Sequence, residues 1–175
     1  MQSTRTRQLG INLVELLVTI SIATLSLTVG VPAFEGLRIR SDRTSAIIEL
    51  VSAARLARSE AALRGIPVSL CPSTDGSSCS GEDDWSNGWI VFHDQDRDLT
   101  IDDQTEVLKV VRFEHPLFVI AADDRIGAGI TFGLFGFADP ASGAFAYSDA
   151  QAARTLQLTY IGRLNVIEPA PESSE

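Results

Sequence analysis

The chain has 175 residues, 45% of them hydrophobic, with two cysteines and a formal net charge of −9. That length gives one domain and an appendage, with an apolar content ordinary for a globular protein but crowded into a block near the N-terminus. An acidic surface of this kind repels phosphate backbones and anionic headgroups, which excludes nucleic-acid binding by bulk charge and leaves only a local basic patch for it.

Arg5 and Arg7 come first, with no acid among them, and then an apolar run from Ile11 to Phe34 whose only charge is Glu15. The run is long enough to cross a hydrocarbon core of about 30 Å as a helix. Basic residues before it stay on the cytoplasmic side, so the rest of the chain is predicted to face outward, which in a Gram-negative cell is the periplasm. An ordinary secretory signal would want a shorter run and a small-x-small cut site, and "TVGVPAF" offers none. A plain anchor leaves Glu15 unexplained, because a carboxylate at a bilayer centre costs about 2.5–3.5 kcal/mol on insertion scales. Its place near the helix start softens that cost through the helix dipole. A cut after Gly10 gives the acid a purpose: it frees an α-amine on Ile11, four residues from Glu15, and amine and acid can pair within a chain or between neighbours.

Gly10, Ile11, Glu15 and the apolar run resemble the class III leader of type IV pilins and type II secretion pseudopilins. The resemblance implies cleavage by a prepilin peptidase between Gly10 and Ile11, N-methylation of Ile11, and an assembly role for Glu15. Pro32 stands where pilins commonly carry a helix-kinking proline. Ile11 replaces the more usual Phe or Met, and Asn12 the usual Thr.

Beyond Pro32 the pattern stays helical. Leu37, Ile47, Leu50, Val51, Ala54, Ala57 and Ala61 recur at spacings of three and four, with charged residues between them, an amphipathic stripe that needs a sheet to cover it. Gly65 caps the helix and Pro67 ends it. Ile11 to Arg64 then makes about 80 Å of helix, which Pro32 kinks or locally melts. "IPVSLC", "GWIVFHD", "EVLKVVRF", "LFVIAA", "GITFGLF", "AFAYS" and "RTLQLTYIG" read as short strands separated by turn residues. No long helix interrupts them, so antiparallel hairpins are predicted.

The fold expected is therefore α+β: a long N-terminal helix, membrane-spanning in its first half and amphipathic in its second, packed on an antiparallel sheet or sandwich. The divisions are a leader over 1–10, a transmembrane and filament-core helix over 11–34, an amphipathic helix over 35–64, a β-rich periplasmic head over 65–167, and an acidic, proline-bearing tail over 168–175 that is predicted to be disordered.

Cys71 and Cys79 bracket "PSTDGSS", a run with the composition of a loop. With no further Cys or His nearby to complete a metal site, an exported chain closes these two as a disulfide, stabilising by about 2–3 kcal/mol. "ARSEAALRGIPVSLCPSTDGSSC", "DWSNGWIVFHDQDRD" and "IGRLNV" are similar to the FimT/GspH branch of the pilin superfamily. That branch holds minor pilins of type IV pili and the H pseudopilin of type II secretion. The resemblance implies an inner-membrane, single-pass subunit with its head in the periplasm, taken into a filament or its tip. Its implied partners are other pilin or pseudopilin subunits, the prepilin peptidase and an inner-membrane assembly platform.

Some minor pilins of this branch bind DNA through Gly-Arg-x-Arg. Here Gly162 and Arg163 match but Asn165 stands in place of the second arginine, removing roughly one counterion-release equivalent. DNA uptake is thus the alternative function, weakened. Asp94, Asp96 and Asp98 offer hard oxygen ligands of the kind calcium takes. However, an EF-hand loop wants glycine sixth and glutamate twelfth, where Leu99 and Thr105 stand. They are read as a solvated loop, with no metal assigned. Trp85 and Trp89 are read as core residues closing around the disulfide loop. No Ser-His-Asp spacing, phosphate-cradling loop or H-E-x-x-H motif occurs. The chain is read as a non-enzyme without cofactor.

Overall fold

Continuous hydrogen bonding carries one helix, α1, from Leu13 to Arg64. The computed structural model describes residues 12–114, 116–148 and 153–167, without the side chains of residues 27 and 29–36. Gly10, Ile11 and the tail over 168–175 lie outside the described residues. The chain divides into two units after Arg38.

From Leu13 on, the described residues of the first unit are helix alone. Asn12 starts it, its Oδ1 accepting the Val14 N–H at 3.3 Å while its carbonyl accepts the Leu16 N–H at 3.1 Å, which satisfies donors that a helix start leaves open. The α1 assignment continues across Pro32, so the helix does not melt there. Among the described residues no helix is long and apolar enough to cross a membrane. The expected span over 11–34 includes residue 11 and the undescribed side chains.

The second unit packs the C-terminal half of α1 on two antiparallel sheets. Nine strands form among the described residues: β1 Val68–Pro72, β2 Gly88–His93, β3 Val107–Arg112, β4 Val119–Ala122, β5 Ile130–Phe132, β6 Ala138–Asp139, β7 Gly143–Ser148, β8 Ala153–Leu158 and β9 Leu164–Ile167. One sheet has the order β3-β2-β1-β5-β6 and the other β4-β7-β8-β9. The anticipated antiparallel α+β architecture is the one observed. Two strands escaped the sequence pattern, β6 and β9; both are too short to show an alternation.

The helix meets both sheets through small side chains. Ala46, Ile47, Leu50, Ala53, Ala54, Ala57 and Ala61 are buried in one core with Val68, Leu70, Trp89 and Phe132 of the first sheet and Ile120, Phe145, Leu156 and Leu158 of the second. The spacing of three and four is the expected one, and alanine lets the helix backbone approach closely. Leu37, counted in the stripe, is exposed instead. An ion pair, Glu49 Oε2 to Lys109 Nζ at 2.7 Å, ties the helix to β3.

The first sheet is covered on both faces. Cys71 pairs with Ile90, one residue from the Pro72–Trp89 pair, so Cys71 and Trp89 point to opposite sides of the sheet. Trp89 faces the main core; Cys71, Ile90 and Phe92 form a second, smaller one with Cys79, Ile101 and Val107. Trp85 packs edge-on against Phe145 at 5.0 Å. Both tryptophans are core residues, but they do not close around the disulfide loop, because the alternation of β2 carries Trp89 to the other face.

Candidate functional site

Besides the two cysteines, three places in the chain carry residues singled out by their sequence. At the N-terminal helix, Glu15 lies in the first turn of α1, where the dipole favours an acid. Around it Leu13, Leu16, Leu17, Ile20, Ile22 and Leu25 all stand more than half exposed. The polar residues among them are internally satisfied: the hydroxyls of Thr19, Ser21, Thr24, Ser26 and Thr28 donate to helix carbonyls at 2.8–3.0 Å. Such a surface suits an apolar environment in which stray donors find no water.

The second place is the loop after β2. The nearest carboxylate oxygens of Asp94, Asp96 and Asp98 lie within 4.8 Å of one another, close enough to share a hard cation. They are not equivalent, and a solvated loop describes only two of them. Asp94 is buried, with Oδ2 accepting from Ser69 Oγ at 2.5 Å and the Leu99 N–H at 3.3 Å, and Oδ1 accepting from the Asp98 N–H at 3.2 Å. Ser69 in turn meets Thr131 Oγ1 at 2.7 Å, so the chain Thr131–Ser69–Asp94 pins this loop to β1 and β5. Leu99 takes the left-handed conformation, φ 60°, at the position where glycine was missed. Desolvation, with the charges of Asp96, Glu106, Asp98 and Asp94, raises the Asp102 carboxyl above its ordinary value. Asp94 as a buried node was not legible, because its partner Ser69 is 25 residues away.

The disulfide between Cys71 and Cys79 is formed, with Cα atoms 5.6 Å apart. Inside the ring it closes, Asp75 Oδ1 accepts the Ser77 and Ser78 N–H groups at 2.8 and 2.9 Å, and Oδ2 the Ser78 hydroxyl at 2.9 Å. Those amides hold its carboxyl well below the ordinary carboxylate range.

The third place is the turn between β8 and β9. Gly162 N–H donates to the Thr159 carbonyl at 2.7 Å and Thr159 N–H to the Arg163 carbonyl at 2.9 Å, with Gly162 at φ 69°. This is a three-residue hairpin loop with glycine at the bulge. The β5–β6 turn repeats it, with Gly136 N–H on the Gly133 carbonyl at 2.8 Å and Gly133 N–H on the Phe137 carbonyl at 3.0 Å. The two turns lie together: Phe137 stacks on Tyr160 with ring centroids 4.6 Å apart.

The structure brings Arg163 and Asn165 to a cleft of 390 Å³ whose opposite wall is α1, through Val51, Ala54, Arg55 and Arg58. Arg55 and Arg58 are among the charged residues that alternate with the apolar stripe of α1, and nothing in their spacing indicates which strand they face. The stem of Arg58 lies over Gly136, so close that a Cβ there would meet its Cγ at 2.9 Å. The guanidinium groups of Arg55, Arg58 and Arg163 make no hydrogen bond or ion pair among the described residues.

An N-terminal helix seated on antiparallel sheets is the α+β fold of pilin heads. The chain belongs to the type II transport protein GspH family, whose model matches residues 46–162, within the pilin and pseudopilin superfamily. The fold is similar to the crystal structure of the type IV minor pilin FimU of Pseudomonas aeruginosa PAO1 in space group P21. The TM-score is 0.59 at 22% identity, over 77% of this chain and 96% of that one. The same protein in space group P65 gives a TM-score of 0.50 at 20% identity, over 74% of this chain and 98% of that one. No curated protein matches the sequence.

Proposed function

We propose that this chain is a minor pilin or pseudopilin subunit that is cleaved after Gly10 by a prepilin peptidase, held in the inner membrane by residues 11–34, and drawn from there into a filament with its head in the periplasm. Family membership supports the subunit role. The observation that carries the assembly reading is the first unit of α1: a helix with leucines and isoleucines more than half exposed, one acid in its first turn, and every described hydroxyl turned back on the backbone. A head domain in water has no use for that surface; lipid and neighbouring helices do. The disulfide agrees with an oxidising compartment. The partners in this reading are other pilin or pseudopilin subunits, the peptidase and the assembly platform.

A DNA-binding role draws support from Arg55 and Arg58 beside Arg163. Against it stand Asn165 at the second motif position and the net charge of −9. The subunit reading is the one taken here. Mass spectrometry of the protein extracted from membranes tests it: the terminus is expected at Ile11, methylated or not. An intact Met1, or a terminus beyond Phe34, overturns it.

A further inference from the structure

The edges of the two sheets are finished differently. The outer edge of β4 is covered by chain, with Trp85 N–H on the Ile120 carbonyl and Ala122 N–H on the Asp83 carbonyl, both at 2.8 Å. The β3 edge carries Lys109 and Arg112 and a break in register against β2. The β6 edge is two residues long, and Ala138 N–H is tied to the Tyr160 carbonyl at 3.3 Å. These are the devices that blunt an edge against further pairing. The last strand of the second sheet, β9, has no such cover among the described residues: it pairs with β8 on one side, and the arginine cleft opens beside its first two residues.

That cleft is lined by both Leu164 and Asn165. Successive residues of a strand point to opposite faces, so a space touching both follows the strand's edge, where the unpaired N–H and C=O groups are. Three guanidiniums without partners among the described residues line the same space. We propose that the cleft accepts an extended, carboxylate-bearing peptide segment of a partner protein, added to β9 as a further strand, with its acidic side chains on Arg55, Arg58 and Arg163. Main-chain pairing supplies attraction and the arginines supply selectivity, as in strand addition generally. A peptide fits better than a nucleic acid. A strand edge offers donors and acceptors in alternation, whereas a phosphodiester backbone only accepts. A chain of net charge −9 also repels a long polyanion more than a short acidic segment. The inference goes beyond the subunit reading and does not depend on cleavage or assembly.

The test uses the full chain in detergent micelles and a blocked heptapeptide of alternating glutamate and valine. The controls are the same peptide N-methylated along its backbone, its lysine counterpart, and an oligodeoxythymidine of matched length. The glutamate peptide is expected to bind saturably and to slow amide hydrogen exchange across Leu164–Ile167. N-methylation, lysine for glutamate, and R55Q or R163Q in the protein are each expected to weaken binding about tenfold or more, with circular dichroism of the variants unchanged. Three results overturn the proposal: no saturable binding of the glutamate peptide, equal binding of the N-methylated form, which would make the cleft an anion site only, or displacement of the peptide by the oligonucleotide.

Discussion

Gly162 stands against the ring of Phe132 so closely that a Cβ on it would lie 2.8 Å from Cε1, and 3.0 Å from the Gly136 carbonyl oxygen. Its φ of 69° is also one that side chains rarely adopt. The glycine of the Gly-Arg-x-Asn run is therefore required by the turn, whatever Arg163 binds. Gly162→Ala is expected to lower the stability of the head by roughly 1–3 kcal/mol, read as a lower midpoint in urea. Arg163→Gln, whose side chain is exposed and unpartnered among the described residues, is expected to change it by less than about 0.5 kcal/mol. A stable Gly162→Ala would mean that the turn tolerates a side chain the geometry forbids.

The helix–sheet contact rests on alanines at the tightest positions, and Ala57 is fully buried between the sheets and α1. Ala57→Leu adds volume where neither backbone can retreat, and is expected to cost about 1–3 kcal/mol. Ile48, on the same helix but 62% exposed, is the control: Ile48→Ala is expected to fall within about 0.5 kcal/mol of the parent. Thermal unfolding of the two variants side by side measures the difference.

How far this arrangement was visible beforehand follows from the range of the interactions. Local periodicity gave the helix, its alanine stripe, its end at Gly65 and seven of the strands, because each depends on residues a few positions apart. The disulfide was legible because its loop is short and polar. What stayed hidden is long-range. In sequence Asp94 is one acid in a polar loop, its buried partner Ser69 lying 25 residues away, and nothing near Arg55 and Arg58 in the chain marks β9 as the strand opposite them. The strand β9 itself was lost because Gly162 and the polar residues around it mask a stretch running only from Leu164 to Ile167. The side of β2 on which Trp89 lies was a question of register, which one sequence leaves open.

Within the disulfide ring, the Asp75 carboxylate is held by the amides of Ser77 and Ser78, which depress its titration in the folded state. A depressed acid stabilises the fold above its unfolded value, near 3.9, and that contribution is lost as pH falls from there through the folded value. Asp75→Asn removes the charge but keeps the shape. The variant is therefore expected to be less stable than the parent at neutral pH. The gap should begin to close once the pH drops below about 4, and close fully only beneath the folded-state value. Because Asp75 is exposed, water screens the effect and the gap is small; paired melts across the acid range measure it. A gap that widened on acidification would contradict the geometry.

Glu15 is the sharpest test of assembly. In the first turn of α1 it sits among Leu13, Val14, Leu16 and Leu17, all exposed by half or more. At the centre of a bilayer a carboxylate costs about 2.5–3.5 kcal/mol, and even near a helix start some of that remains. In the reading proposed here the acid offsets that cost when the subunit leaves the membrane, by accepting the freed amine of a neighbouring subunit inside an apolar filament core, where the attraction is less screened than in water. Glu15→Ala removes the counter-charge without touching Gly10 or Ile11. The variant is expected to be cut at the normal site and to remain in the membrane fraction, yet to be missing from sheared filaments or purified pseudopili. Glu15→Gln separates charge from hydrogen bonding: it keeps the carbonyl acceptor and loses the charge, and if pairing with the amine is what sets the register between helices, it is excluded too. Immunoblots of the membrane and filament fractions for the parent and both variants decide the matter, and normal incorporation of Glu15→Ala would remove the reason for an acid in this helix.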